Sequence, residues 1–180
     1  PCPINTYGKT KLDGEKAIQE SGCNYYIFRV SWLIGKYGNN FAKKIIYFAK
    51  NKENLKVIND QKGVPTSPRL IGEVMNHLIK SYQTNSIWDF GIYNLNPRGE
   101  ASWFIIAKFI INFINEMDNK NSFLVKSVQP VSTNEFKTKA KRPLNSLLDN
   151  SKLEKVLGYE LNDWESYFIN DLKEILHNSL

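Results

Sequence analysis

Residues 25–30 read Tyr-Tyr-Ile-Phe-Arg-Val, and this run of aromatic and β-branched side chains predicts a buried β-strand. Immediately upstream, residues 7–20 carry apolar side chains at helical spacing, and Thr6 can cap the helix that this spacing predicts. Ser21-Gly22 then ends the helix. A helix that leads directly into a buried strand is the unit from which α/β folds with parallel strands are built.

The same alternation of helices and strands continues along the chain. Further helices are predicted at residues 41–50, 68–82 and 101–115, in a short segment after Asp149, and from about Asp163 onward. Further strands are predicted at residues 55–58, 91–95 and 124–128. Glycines and prolines mark residues 35–40 and 59–68 as loops. The sequence therefore predicts an α/β layer protein with parallel strands.

The composition is that of an ordinary globular chain of 180 residues, of which 42% are hydrophobic and 23% charged. The net charge of +6 comes mainly from lysines spread along the chain, so it indicates a solvated surface rather than a nucleic-acid partner. No apolar run is long enough to span a bilayer, and Cys2 and Cys23 lack metal-site spacing. We therefore expect a protein of a reducing cytoplasm with neither a zinc site nor a disulfide.

The clearest chemical motif is Tyr7-x-x-x-Lys11 at the start of the first predicted helix. Four residues make about one helical turn, so the phenol and the ammonium should project from the same face. A nearby cation stabilises a phenolate, which suits a tyrosine to general acid or base catalysis. The same spacing occurs by chance on many surface helices, so the surrounding residues must decide between the two interpretations.

Other candidate site residues follow predicted strands or begin predicted helices. Ser31 and Trp32 follow the strand at residues 25–30, at the edge where open α/β sheets bind their ligands. Asn40 precedes a helix, and it either contacts a sugar or diphosphate or caps that helix. Arg142 suits bidentate binding of a diphosphate, with a solvated basic loop as the alternative.

Arg142 ends a basic cluster that also contains Lys137, Lys139 and Lys141. We expect this cluster to face a phosphate group rather than a polynucleotide, because basic residues elsewhere are dispersed. Trp103 and Trp164 lie on apolar faces of predicted helices, and both are predicted to be core residues.

Several motifs in order resemble those of the dTDP-4-dehydrorhamnose reductases, which belong to the extended short-chain dehydrogenase/reductase superfamily. The motifs that carry the resemblance lie at residues 5–12, 14–15, 28–32, 38–43, 57–66, 91–94, 102–103, 142–146, 148–149, 152–153 and 163–164. The resemblance covers the chain from Asn5 to about Leu176. The resemblance implies an α/β fold of the Rossmann-like, NAD(P)-binding type.

The resemblance also implies a reaction and its catalytic residues. The C4 ketone of dTDP-6-deoxy-L-lyxo-4-hexulose would be reduced by NADPH or NADH to give dTDP-L-rhamnose. Tyr7 would be the proton donor, and Lys11 would assist it and hold the ribose of the cofactor. Val30 and Ser31 would lie beside the nicotinamide.

Substrate contacts and assembly are implied in the same way. Trp32 would lie against the sugar, although it could also be an ordinary core aromatic. Asp60 and Gln61 would approach the nucleotide, and hydrogen bonds that stabilise their loop explain them almost as well. Related proteins often form homodimers, some with Mg²⁺ at the interface, for which Glu73 is merely a candidate ligand.

Two other functions stay open. The chain could belong to another nucleotide-sugar reductase or epimerase of the same fold. It could also be a non-catalytic regulatory subunit, such as the one that regulates methionine adenosyltransferase. Retention of both Tyr7 and Lys11 favours catalysis.

The chain departs from the family because it has no Gly-rich turn after a first strand to bind the cofactor pyrophosphate. We therefore expect it to be the C-terminal two-thirds of a reductase and inactive alone. Within this single incomplete domain, about 1–60 and 84–98 would join the Rossmann-like sheet, and about 61–83 and 99–180 mainly the substrate-binding part. Without upstream strands, the first helix and strand would expose their inner faces.

Overall fold

The computed structural model describes residues 1–84, 86, 88–117, 122–136 and 140–177. The helices are α1 (Thr6–Glu20), α2 (Phe41–Asn51), α3 (Pro68–Gln83), α4 (Trp103–Met117), α5 (Ser151–Leu157) and α6 (Trp164–His177). The strands are β1 (Tyr26–Arg29), β2 (Asn54–Ile58), β3 (Lys62–Gly63), β4 (Gly91–Asn94), β5 (Ala101–Ser102) and β6 (Ser127–Val131). Helices and strands alternate along most of this order, as the sequence predicts.

The strands pair across long stretches of sequence. β1 pairs with β4 in parallel, with Tyr26 opposite Gly91 and Arg29 opposite Asn94. β2 pairs with β6, also in parallel, and the short strands β3 and β5 pair antiparallel. The two longer pairs confirm the prediction of an α/β protein with parallel strands.

Two apolar clusters form the core. The larger joins α2, α4 and α6 with β2, and its fully buried side chains include Ile106, Ile110 and Phe168. The smaller joins α3, β4 and α5 around Val74 and Tyr93. Burying one large apolar side chain contributes roughly 1.5–3 kcal/mol, so these clusters supply most of the packing energy.

Helix α1 is packed differently from the others, because none of its residues is buried. Its cap is Asn5 rather than Thr6, since the Oδ1 atom of Asn5 accepts a hydrogen bond from the Gly8 amide at 2.8 Å. The helix is tied to β1 by an ion pair between Glu15 and Arg29. The exposed first helix that the sequence predicts is therefore present in the structure.

Three element boundaries differ from the predictions, and each difference depends on a distant partner. β3 lies in a predicted loop, where the Lys62 amide donates to the Leu144 carbonyl at 2.8 Å. β5 occupies the predicted start of α4, which begins instead at Trp103. β6 lies three residues later than predicted and contains Pro130, a residue that argues against a strand in local sequence patterns.

The most apolar helix is α4, which packs on both α2 and β2 through Ile106, Ala107 and Ile110. In the part of the chain that the structure describes, neither α4 nor any other helix is long and apolar enough to cross a bilayer.

Candidate active site

Tyr7 and Lys11 occupy the first turns of α1, as predicted. The Lys11 Nζ atom lies 5.6 Å from the centroid of the Tyr7 ring, within range of a cation–π contact. The Tyr7 side chain is 72% exposed, so its hydroxyl can be reached from outside this chain. The structure therefore places a phenol and an ammonium side by side on an open surface.

Val30 and Ser31 follow the last residue of β1. The carbonyl of Arg29 accepts a hydrogen bond from the Leu95 amide at 2.7 Å, which fixes this strand end against β4. Val30 is partly exposed, whereas Ser31 is buried, and its Oγ atom has no hydrogen-bond partner within the described residues. A buried hydroxyl without a partner is costly, so this position stands out as one that a ligand could satisfy.

Trp32 lies at one end of an aromatic stack whose central ring is Trp103. Its ring lies 3.7 Å from that of Trp103 with an interplanar angle of 17°, and Phe41 packs against Trp103 at 4.6 Å. A Cβ atom at Gly63 would come within 2.6 Å of the Trp32 indole, so glycine is needed there for the backbone to pack against the ring. Much of the Trp32 surface is thus used in packing, although the side chain remains partly exposed.

Trp103 corrects one prediction, while Trp164 confirms another. Trp164 is 2% exposed and lies in the core. Trp103 packs against the core but is only partly buried, because its ring also lines an open groove. An aromatic residue in the first turn of an apolar helix can face either the core or a surface groove, and periodicity alone does not distinguish the two.

Gln61 and Asp60 hold their loop in place. Gln61 is 2% exposed, its Nε2 atom donates to the Thr133 hydroxyl, and its Oε1 atom accepts from the Trp103 indole, both at 3.1 Å. Asp60 accepts hydrogen bonds from the amide and hydroxyl of Thr133, which lower the pKa of its carboxyl. These contacts match the loop-stabilising alternative, and through Trp103 they also position the stack.

Asn40 caps α2. Its Oδ1 atom accepts from the Lys43 amide at 3.1 Å, and its Nδ2 atom donates to the Gly35 carbonyl at 2.6 Å. Both ends of the amide are therefore engaged within the chain, as the capping alternative predicts.

Arg142 lies on a segment, residues 141–146, that joins two parts of the site. The Lys141 carbonyl accepts a hydrogen bond from Asn5, the cap of α1, at 2.9 Å. Farther along, Ser146 donates its amide to the Lys62 carbonyl on β3 at 2.8 Å. Arg142 is therefore held between the start of α1, which carries Tyr7, and β3. Lys137 and Lys139 of the predicted basic cluster lie outside the described residues.

An open groove of about 760 Å³ begins at Arg142 and runs between α2 and β2. Its apolar side chains come from both elements and from Trp103, and cationic side chains line the same groove. The lining includes Phe41, Ile45, Phe48, Leu55 and Val57 as apolar residues and Lys44, Lys52, Lys56 and Arg142 as cations. No acidic residue lines the described part of this groove, so it favours an anionic ligand with an apolar portion.

The groove was not predicted from the sequence. One feature of the sequence agrees with it: in β2, the buried side chains of Leu55 and Val57 alternate with the exposed side chain of Lys56. That α2 and β2 face each other across a groove is a tertiary arrangement that local periodicity does not show.

By themselves, the described residues of this one chain form no magnesium site. Among them, no group of three or more His, Cys, Asp or Glu side chains could hold a metal ion. Glu73 is exposed on α3 and belongs to no such group.

Comparison with known proteins relates this chain to one family. Residues 1–178 match the family described as RmlD substrate binding domain. The chain is 37% identical to the dTDP-4-dehydrorhamnose reductase of Sinorhizobium fredii over 164 residues, which make up 91% of this chain and 54% of that protein. The chain thus spans about half the length of the curated relatives that it matches.

Solved structures agree in fold. A dTDP-4-dehydrorhamnose reductase ortholog from Clostridium acetobutylicum matches with a TM-score of 0.83 at 33% identity, over 97% of this chain and 57% of that one. The reductase from Bacillus anthracis, solved in complex with NADP, matches with a TM-score of 0.79 at 34% identity, over 99% and 57%. These matches confirm the predicted Rossmann-like fold of the extended short-chain dehydrogenase/reductase type.

Proposed function

Because this chain belongs to the family of RmlD substrate binding domains, we propose that it is part of a dTDP-4-dehydrorhamnose reductase. The reaction is reduction of the C4 ketone of dTDP-6-deoxy-L-lyxo-4-hexulose to dTDP-L-rhamnose. The observation that carries the proposal is the pairing of Tyr7 with Lys11 at the start of α1, next to the segment that leads to the groove.

Tyr7 is the proposed proton donor. As the ketone is reduced, negative charge grows on the carbonyl oxygen, and a proton from the phenol neutralises it. The ammonium of Lys11, 5.6 Å from the phenol ring, stabilises the phenolate that remains. The exposure of Tyr7 supports this role, since a proton donor must reach its substrate.

The end of β1 fits a nicotinamide cofactor. When bound, NADPH or NADH supplies the hydride. The unpaired buried hydroxyl of Ser31 can hydrogen-bond the nicotinamide amide, and Val30 offers it an apolar contact. Lys11, exposed on α1, can hold the ribose hydroxyls. The relative from Bacillus anthracis that was solved with NADP supports this assignment.

The groove fits the nucleotide part of the substrate. Its apolar side chains can accept a base and a deoxyribose, while Arg142 can bind the diphosphate in a bidentate manner. Gln61 acts on this site indirectly by fixing Trp103, and Trp32 offers its exposed part to the sugar. Asn40 would contribute mainly by fixing the start of α2, one wall of the groove.

We also propose that the whole protein is located in the bacterial cytoplasm and forms a homodimer there. Both proposals rest on the resemblance to the family alone. Light scattering of the whole protein at several concentrations tests the homodimer, and a mass that stays at one subunit would contradict it.

The test of function is NADPH oxidation by the whole protein with dTDP-6-deoxy-L-lyxo-4-hexulose. We expect turnover in the wild type and a loss of about 10²–10⁴-fold in kcat in Tyr7→Phe, the range typical of a general acid. Tyr47→Phe is the matched control, because Tyr47 is also an exposed helix tyrosine but lies on α2, outside the proposed catalytic pair.

Equal activity in Tyr7→Phe and Tyr47→Phe would deny the catalytic role of Tyr7. No turnover by a folded wild type that binds NADPH would reject the reductase and favour a different nucleotide sugar or a regulatory subunit.

A further inference from the structure

The side chain of Glu15 lies on the same face of α1 as the proposed catalytic pair. Tyr7, Lys11 and Glu15 are spaced by four residues, so they form one stripe along the helix. Glu15 is the inner end of this stripe, with 16% of its side chain exposed. The stripe therefore runs from an exposed phenol to a largely buried carboxylate.

Arg29 meets Glu15 from β1. Its Nε atom lies 2.8 Å from Oε1 of Glu15, and its Nη2 atom lies 2.5 Å from Oε2, a bidentate arrangement. The hydrogen bond with Arg29 lowers the pKa of Glu15, and the same bond raises that of Arg29, so both groups stay charged. A bidentate ion pair fixes both the distance and the relative orientation of its two side chains, whereas a single hydrogen bond does not fix the orientation.

The position of this pair matters because α1 has so little other packing. None of its residues is fully buried, so apolar contacts within this chain hold the helix over β1 only weakly. Arg29 is also the last residue of β1, immediately before Val30 and Ser31. Hence the ion pair connects the helix that carries the proton donor with the strand end that faces the cofactor.

We propose that the Glu15–Arg29 pair is a positioning device that sets the distance between Tyr7 on α1 and the ligand site at Val30 and Ser31. Neither residue touches the reacting atoms. The inference rests on the proposed function, and it adds two residues whose effect on catalysis is transmitted through the placement of α1.

The chain offers a matched ion pair for comparison. Arg98 binds Glu154 through Nε and Nη2 at 2.8 and 2.9 Å, and 13% of the Glu154 side chain is exposed. This pair joins the loop after β4 to α5, and neither residue lines the groove. Glu154→Gln therefore removes a carboxylate of similar burial and geometry outside the site.

The experiment compares Glu15→Gln and Glu154→Gln in the whole protein. For Glu15→Gln we expect kcat to fall by about 10–100-fold, with KM for the sugar nucleotide within about 2-fold of wild type, because misplacement of a catalytic group by about 1 Å is enough for such a loss. The solvent isotope effect on kcat should rise as proton transfer becomes slower. Glu154→Gln should lower thermal stability but leave kcat and the isotope effect unchanged.

Two further variants separate charge from geometry. Arg29→Lys keeps the charge but loses the fork, so it should resemble Glu15→Gln. The reversed pair, Glu15→Arg with Arg29→Glu, restores a fork and should recover most of the lost kcat.

A crystal structure of Glu15→Gln with NADP gives a readout that does not need turnover. We expect the Tyr7 hydroxyl to move by about 1 Å or more relative to Ser31. An unmoved Tyr7, or kcat that falls equally in Glu15→Gln and Glu154→Gln, would overturn the proposal. A wild type without turnover would instead reject the reductase, and the displacement of Tyr7 would still decide the positioning role.

Discussion

At the scale of single residues, Asp171 has an environment that disfavours its charge. It is 5% exposed on α6, and its Oδ2 atom has no partner among the described residues. Burial raises the pKa of Asp171 to about 6, Glu174 adds to the rise, and a hydrogen bond from Ser67 and the charge of Arg69 oppose it. A buried carboxylate that lacks full pairing makes the fold less stable whenever it is ionised.

The pH dependence follows from this raised pKa. In the unfolded chain the carboxyl titrates near 3.9, so between about pH 4 and pH 6 only the folded form keeps the proton. The contribution of Asp171 to stability is therefore most favourable below about pH 4, falls as pH rises toward 6, and stays lower above that by roughly 2–3 kcal/mol. We expect Asp171→Asn to unfold at a higher temperature than wild type at about pH 8, and at a similar temperature below about pH 4.

Asp60→Asn provides the opposite control. Hydrogen bonds from Thr133 lower the pKa of Asp60, so this carboxylate stabilises the fold above its unfolded pKa, and the contribution disappears as pH falls. Its replacement should lower the melting temperature at neutral pH and have little effect in acid. A stability profile of Asp171→Asn parallel to wild type at every pH would refute the role given to burial.

At the scale of the element, α2 shows how the cap of a helix can shape the groove that the helix lines. Asn40 satisfies the Lys43 amide and the Gly35 carbonyl, and the helix that follows supplies Phe41, Ile45 and Phe48 to the groove. The sequence left open whether Asn40 caps this helix or contacts the substrate. The observed hydrogen bonds account for the residue as a cap.

We expect Asn40→Ala to destabilise the whole protein by about 1 kcal/mol, the usual cost of losing a helix cap. Asn40→Ser should recover most of this stability, because a serine hydroxyl can also accept from the Lys43 amide. In Asn40→Ser, KM for the sugar nucleotide should stay within about 2-fold of wild type. A rise in KM of about 10-fold or more at unchanged stability would show direct contact with the substrate.

Elements with strong local periodicity could be predicted from the sequence, and elements made by distant partners could not. α2, α3 and β4 lie within a residue or two of their predictions, because their apolar side chains recur at helical or strand spacing. β3 exists only because residues 62–63 meet β5 and the segment 141–146. In the site, the shared helix face of Tyr7 and Lys11 followed from their spacing, whereas the groove required knowledge of which helix faces β2 across it.

At the scale of the whole molecule, the core and α1 differ in how they are held. α2, α4 and α6 bury apolar faces against each other and against β2, whereas α1 buries no residue in this chain. The curated relatives are nearly twice as long as the matched region, and α1 carries the proposed catalytic pair. We infer that α1 gains its packing from other parts of the whole protein. The predicted division into a cofactor part and a substrate part remains a prediction.

Hydrogen exchange tests this inference directly. In the 180-residue chain alone, amides of α1 should exchange far faster than those of α4, because few contacts oppose local opening of an unburied helix. In the whole protein, amides of α1 should become protected while those of α4 change little. Equal protection of α1 in both proteins would mean that the Glu15–Arg29 pair and the Asn5 cap suffice to hold it.

The stack of Trp32 on Trp103 has an optical consequence. Two of the four tryptophans in the chain lie with ring centroids 3.7 Å apart, close enough for their electronic transitions to couple. Such coupling gives an exciton couplet in the circular dichroism spectrum, and its sign and size depend on the angle between the rings. Because Trp103 also lines the groove, a molecule that settles there will alter this signal. The Trp32–Trp103 pair thus reports, without an added label, whether the groove is occupied.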